Sequence, residues 1–349
     1  MSRRGIVGLA VWSGAVGLLV FGYAAGLWPH LANAYLCSWL VLVSLPLGAL
    51  PLLMALELWD GGEAAVAGPL RLLLASLPVL AILILPLFFS LHGAYTWQAC
   101  LLPHCPPFHY AGLGARWFTP GAFLWRSIIY LVLWVGLSLY FLRPVRAGGS
   151  RRALAAFGLG LHLVIGTLAS YDWFMSLDEG LVSANYGLFV ITLQCAFALG
   201  AALLLTLARG VDPDRGTLCA FLVLVALAVF AHFAEFIVVW SANLPKEIAW
   251  YQNRAGGGRA FAVVAAVLVF FGIVALVPKR LNEYRSVVAA ATVALTLVAF
   301  VDLVLMASPS GLFLDNAGAD LVVLVVLGTL GIACARILGG RRREALRHG

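Results

Sequence analysis

Apolar residues along the chain come in long runs, separated by short stretches in which charges, Pro and Gly collect. A run of about 20 such residues makes a helix long enough to cross the hydrocarbon core of a bilayer. Ten runs fit the pattern: 6–25, 34–58, 70–90, 121–142, 153–176, 184–208, 217–241, 260–277, 286–308 and 319–338. The expected fold class is therefore an all-α polytopic membrane protein with ten transmembrane helices. The first run lacks a convincing small-residue cleavage site and similar runs follow it, so it is expected to stay as a helix and not to be removed as a signal peptide. No stretch between the runs is long enough for a soluble domain.

Composition agrees with the pattern. Hydrophobic residues make up 63% of the chain, charged residues 11%, and the mean hydropathy is +1.01. Soluble domains hold roughly 45–50% apolar and about 25% charged residues. The net charge of +7 would suggest nucleic acid in a soluble chain. Here it follows from orientation. With a cytoplasmic N-terminus and alternating spans, all of the 22 Lys and Arg residues except Arg116, Arg126, Lys246, Arg254 and Arg259 fall on the inner side. The positive-inside rule then puts both termini in the cytoplasm, and no nucleic-acid partner is needed to explain the charge.

Orientation sets the depth of the ionisable residues. Asp172, in the stretch Gly166–Leu188 that joins the fifth and sixth runs, lies about 6 Å inside the outer end; Arg126 lies about 8 Å in, and Glu235 and Asp302 about 9 Å. An ionisable group inside a span marks a functional site by default, so Asp172, Glu235 and Asp302 are candidate proton-handling groups. Arg126 is the natural partner of either Asp172 or Glu235. A carboxylate paired with it serves as a structural ion pair, and the other is left to exchange protons. His232 lies three residues before Glu235 on the same helix face and joins the candidates. Trp97, Trp117, Trp125, Trp173, Trp240 and Trp250 border the same level, as an interfacial aromatic belt also would.

A weak internal symmetry accompanies this stratum. The fifth run ends Asp172-Trp-Phe-Met175-Ser176 and the ninth Asp302-Leu-Val-Leu-Met306-Ala-Ser308, both at outer ends. Residues 34–176 and 184–308 are thus expected to form two related four-helix bundles, flanked by helix 1 in 1–33 and by helix 10 with a basic tail in 319–349, all within one transmembrane domain. Polar residues run along the fifth span from His162 through Thr167 and Ser170 towards Asp172, with Tyr130, Gln194, Thr292 and Thr296 on neighbouring spans. They form either a proton path or ordinary interhelical hydrogen bonds.

Metal and haem chemistry find little support. The chain has no CxxCH motif and no cysteine run with cluster spacing. His162 and His232 differ in level by roughly 7 Å, poor geometry for one haem iron. In the outer loop, Cys100 and Cys105 with His104 and His109 admit a disulfide, free thiols or a metal site. No metal site is assigned. Cys37, Cys195, Cys219 and Cys334 sit in apolar runs as small packing residues.

Three segments carry a resemblance: W-F-T-P-G-A-F-L-W-R at Trp117–Arg126, Y-D-W-F-M-S-L-D-E at Tyr171–Glu179, and W-S-A-N-L-P-K-E-I-A-W-Y-Q-N-R at Trp240–Arg254. They are similar to motifs of the ActF-type subunits of bacterial alternative complex III, among the NrfD/PsrC-like ten-helix membrane proteins. Trp117-Phe118-Thr119 stands where an aromatic–Leu–Asn is expected. The resemblance implies a multi-pass subunit of a quinol-oxidising complex in the bacterial inner membrane. It also implies partner subunits that carry iron–sulfur clusters and haem c, with a second NrfD-like subunit beside it. Quinol oxidation releases two electrons and two protons. The chain offers proton acceptors and aromatic walls, while the redox centre must lie in a partner. Arg126, Trp173, His92 and Asn243 are the candidate residues of a quinone pocket, for menaquinone or ubiquinone alike. A membrane anchor without a quinone site is the alternative from another class. A stand-alone transporter is a third, for which the sequence lacks the expected pairs of Gly/Pro-broken helices at mid-membrane.

Overall fold

The structure, a computed structural model, describes residues 28–59, 64–88, 95, 97, 117–143, 150–178, 182–243, 245, 248, 251–252, 255–308 and 328. The first apolar run lies outside these residues, as does the tenth except for Gly328. Leu42 comes within 3.5 Å of where a Cβ on Gly328 would sit.

Every described element is a helix: α1 Trp28–Leu58, α2 Ala67–Leu74, α3 Leu77–Ile82, α4 Leu85–Phe88, α5 Pro120–Phe141, α6 Arg152–Trp173, α7 Tyr186–Ala208, α8 Arg215–Ala242, α9 Ala255–Leu276, α10 Lys279–Asn282 and α11 Arg285–Ala307. Among the described residues seven stretches are long and apolar enough to cross a membrane, with α2 to α4 counted as one; α9 adds a shorter apolar helix over Ala262–Leu276. This is the architecture of a multi-pass membrane protein.

The run 70–90, expected as one helix, is broken into α2, α3 and α4. Pro78 and Pro86 supply no N–H and cannot continue the backbone ladder, so the chain makes a turn before each. Ser76 N bonds Leu73 O at 3.1 Å, and Leu87 N bonds Ile84 O at 2.9 Å. Carbonyls left without helical donors are taken up by α1: Trp39 Nε1 donates to Leu80 O at 2.8 Å, and the Tyr35 hydroxyl donates to Leu83 O at 2.6 Å. A lipid-facing break would leave such groups bare, whereas one covered by a neighbouring helix is tolerated. Helix α8, its counterpart in the expected two-bundle arrangement, runs unbroken from Arg215 to Ala242. The described residues therefore hold one broken helix and no broken pair.

The core lies along α1 and α7, the two most buried spans. α1 packs against α2 and α6, and α5 lies on α6 and α3. In the second half α7 packs against α8 and α11, and α9 lies on α11 and α8. The halves meet through α1 on α7 and α6 on α7. Apolar side chains drive no helix association within lipid, so close backbone approach has to. At Gly48 a Cβ would come 2.0 Å from Gln194 O of α7. At Gly200 it would come 2.2 Å from Thr296 Oγ1 of α11. Gln194 also donates to Ser44 Oγ at 3.2 Å, tying α7 to α1 by a side-chain bond.

Candidate functional site

Helix α5 opens with Thr119 as N-cap, its hydroxyl accepting from Ala122 N at 3.4 Å, and with Pro120 in the first turn. Arg126 and Tyr130 follow four residues apart on one face and turn together towards α6. There they meet Asp172, which is 0% exposed. Arg126 Nε donates to Oδ2 and Nη2 to Oδ1, each at 2.8 Å. Tyr130 OH donates to Oδ2 at 2.9 Å, and Trp117 Nε1 to Oδ1 at 2.8 Å. Each carboxylate oxygen thus receives two donors, and no lone pair is left for an incoming proton. Arg126 is held as fully: Nη1 donates to Trp117 O at 2.8 Å, and Cζ lies 4.1 Å from the Trp117 ring centre. Of the two partners expected for Arg126, the structure selects Asp172.

Below this knot lies an aromatic layer. Trp173 packs edge-on to Trp39 with centroids 5.1 Å apart, and its indole donates to Ser127 Oγ at 3.0 Å. Trp134 donates to His162 Nδ1 at 3.1 Å, while His162 Nε2 is buried without a partner. Thr167 donates to Leu163 O at 2.8 Å and Ser170 to Thr167 O at 2.7 Å, both within α6. Thr292 and Thr296 do the same within α11. His162, Thr167 and Ser170 therefore line one helix, but Ser170 reaches Thr167 only at its backbone carbonyl and neither hydroxyl bonds to His162, so their side chains form no continuous chain among the described residues. Trp97 and Trp173 are core residues at 2% exposure, whereas Trp125 and Trp240 face outward at 67% and 65%. The aromatic belt accounts for the second pair and not for the first.

The other ionisable candidates gather in the second half. His232 Nδ1 of α8 lies 3.7 Å from Asp302 Oδ2 of α11, an ion-pair separation too long for a direct hydrogen bond. Asp302 Oδ1 is buried with no partner. Glu235, one turn further along α8, accepts from Ser183 Oγ at 2.5 Å. Phe189 meets the His232 ring edge to face at 5.3 Å. Tyr251, between α8 and α9, packs on Phe236 at 5.4 Å. Burial pushes its phenol up from the usual range, and the carboxylates of Glu235 and Asp302 push it further, which places Tyr251 within the field of both. His232 thus faces Asp302, where the sequence suggested Glu235. Arg126, Asp172, Glu235 and Asp302, expected at one level, form two groups in separate halves.

Of the residues expected to shape a quinone pocket, Arg126 and Trp173 are committed to the Asp172 knot and the core. Asn243 ends α8 in the left-handed conformation, with φ 52°, and its N–H bonds Val239 O at 3.3 Å. His92 lies outside the described residues, as do Cys100, His104, Cys105 and His109. Ser183, Tyr251 and the Trp117 indole were missed as site residues in the sequence. Only the Trp117–Arg126 and Trp240–Arg254 motifs pointed near them. Among the described residues no group of His, Cys, Asp and Glu could hold a metal ion. No family model matches the chain, and no curated protein matches it.

Proposed function

We propose that this chain is an integral subunit of a quinol-oxidising respiratory complex of the bacterial inner membrane, resembling the NrfD-like subunits of alternative complex III. In this reading it has ten helices in two four-helix bundles, with helices 1 and 10 at the flanks and both termini in the cytoplasm. The repeated packing order of the two halves supports that arrangement. Iron–sulfur and haem c partners, and a second NrfD-like subunit, carry the electrons, because this chain offers no cluster or haem motif. Its own part is to border a quinone region near the outer face and to take up protons released there.

One observation carries this reading. His232, Glu235 and Asp302 converge at one end of the second half, where among the described residues Asp302 Oδ1 is unpartnered and Ser183 alone donates to Glu235. Such a cluster has lone pairs open to a proton, which the saturated Asp172 lacks. The saturated Asp172 in turn favours a second reading for the first half, as a structural brace. If the second half is equally inert, the whole chain is a membrane anchor.

The test is purification of the native complex in mild detergent, mass spectrometry of its subunits and quinones, and quinol oxidation by Asp302→Asn and Glu235→Gln. Co-purifying redox subunits, with turnover lost and assembly kept, support the proton-handling role. The same partners with unchanged turnover make the chain an anchor. Purification without any partner overturns membership of a complex.

A further inference from the structure

Four elements end or begin around one cavity of about 360 Å³: the end of α7, the start of α8, α10 and the start of α11. By the Lys and Arg distribution this is the inner end of the second half. Arg215, Lys279 and Arg285 line it, with Asp212 and Glu283 as counter-charges and Asn282 between them. Leu207, Leu218 and Val288 form its apolar floor.

Two of the cations are fixed in place by the backbone. Arg215 Nη2 donates to Val277 O at 3.2 Å, and Arg285 donates to Leu207 O. Arg285 Nη1 also lies 3.6 Å from Asp212 Oδ1, which occupies one of the two carboxylates. Lys279 forms no ion pair among the described residues. Asn282 Nδ2 donates to Leu276 O at 3.1 Å, while its Oδ1 is buried without a donor among the described residues. Two long helices, α8 and α11, start here; the Asp214 carboxylate caps the first, and the second turns its positive end to the site uncapped. The α11 N-cap, Tyr284, makes no capping bond.

Beyond the cavity the surface is apolar. Val223, Leu227 and Phe230 of α8, Phe270 and Val274 of α9, and Val277 just beyond its end are all exposed. A polar, cationic cup above exposed hydrocarbon matches a molecule with a charged head and apolar tails. Basic pockets between spans on the cytoplasmic side suit acidic lipid headgroups.

We propose that this cavity is a binding site for an anionic glycerophospholipid of the phosphatidylglycerol class. Its phosphodiester lies among Arg215, Lys279 and Arg285, a glycerol hydroxyl donates to Asn282 Oδ1, and the acyl chains run along α8 and α9. The inference rests on the chain spanning a bilayer, with this end at a membrane surface. It is independent of quinone chemistry and of partner subunits.

The experiment is native mass spectrometry of the delipidated full chain in detergent, titrated with phosphatidylglycerol or phosphatidylcholine. Wild type is expected to hold phosphatidylglycerol the more tightly. Lys279→Gln is expected to weaken that binding about fivefold, and Arg215→Gln by a similar factor, with phosphatidylcholine unaffected. Equal affinity for the two lipids overturns the proposal. So does unchanged phosphatidylglycerol binding in Lys279→Gln. Displacement of the lipid by inorganic phosphate at matching concentration would mark a free-phosphate site and overturn it too. Arg215 braces α9, so Arg215→Gln is scored only if it elutes as wild type. Lys279 makes no such contact, and Lys279→Gln alone decides the matter if the arginine variant fails to fold.

Discussion

Arg126 and Asp172 meet through two parallel hydrogen bonds of 2.8 Å, and the carboxylate they share is closed off on its other sides by Trp117 and Tyr130. A buried pair held so completely is a strut. Removing one partner leaves a buried charge without compensation, at a cost of about 3–5 kcal/mol. Asp172→Asn is therefore expected to lower stability in detergent by that order. Tyr130→Phe, which deletes one hydrogen bond to the carboxylate, should lower it by about 1.5–3 kcal/mol. Denaturant unfolding followed by helical circular dichroism measures both. Unchanged stability in Asp172→Asn together with lost turnover would return Asp172 to the proton-handling group.

The covered helix break gives a second expectation. Trp39→Phe and Tyr35→Phe keep the apolar ring but leave Leu80 O or Leu83 O without its donor. An orphaned buried carbonyl costs about 1–3 kcal/mol. Each variant should melt earlier, and faster hydrogen exchange should appear first in α3 and α4. Exchange that rises evenly over the whole chain would mean that the break does not depend on α1.

Close backbone approach gives a third, with its own control. Gly48→Ala would press a Cβ against the Gln194 backbone at 2.0 Å, a contact that no rotamer change relieves. Gly136 in α5 has nothing within 4 Å of the same position. Gly136→Ala is expected to be neutral, or to stabilise by about 0.5–1 kcal/mol through helix propensity, while Gly48→Ala should disrupt the packing of α1 on α7. Yield and melting temperature of the two variants, side by side, give the answer.

A fourth concerns acid at the start of α8. Burial alone would raise the Asp214 carboxyl, but hydrogen bonds from the Thr217 hydroxyl and from the N–H groups of Thr217, Gly216 and Asp214 itself bring it below its ordinary value. Thr217 N reaches Asp214 Oδ1 at 2.9 Å. A carboxyl that is more acidic when folded stabilises the fold fully above its unfolded value, and that contribution fades as pH falls through the folded one. Asp214→Asn keeps a capping oxygen but cannot titrate. The gap in stability between wild type and Asp214→Asn should therefore close on acidification below about pH 4. A gap that stays constant with pH would show that the charge of Asp214 contributes nothing.

The sequence by itself determined the class of this protein and the existence of most of its helices. Runs such as 184–208 and 286–308 differ from α7 and α11 by no more than two residues at either end, because a span's length and composition are local properties set by the thickness of the bilayer. It also singled out Asp172, since a carboxylate in an apolar run stands out without any coordinates. Partners were another matter. Arg126 could have met Asp172 or Glu235, and His232, read beside Glu235 on its own helix, meets Asp302. Each choice depends on which helices pack together and on their rotation about their own axes. Those are set by contacts such as Gly48 on Gln194, between residues far apart in the chain. The break in the run 70–90 was half legible: Pro78 and Pro86 stand in the sequence, but Trp39 and Tyr35, which cover the freed carbonyls, lie on another helix. Tertiary packing alone decided which carboxylate is saturated and which keeps an oxygen free, because that depends on how many donors from other helices reach each oxygen.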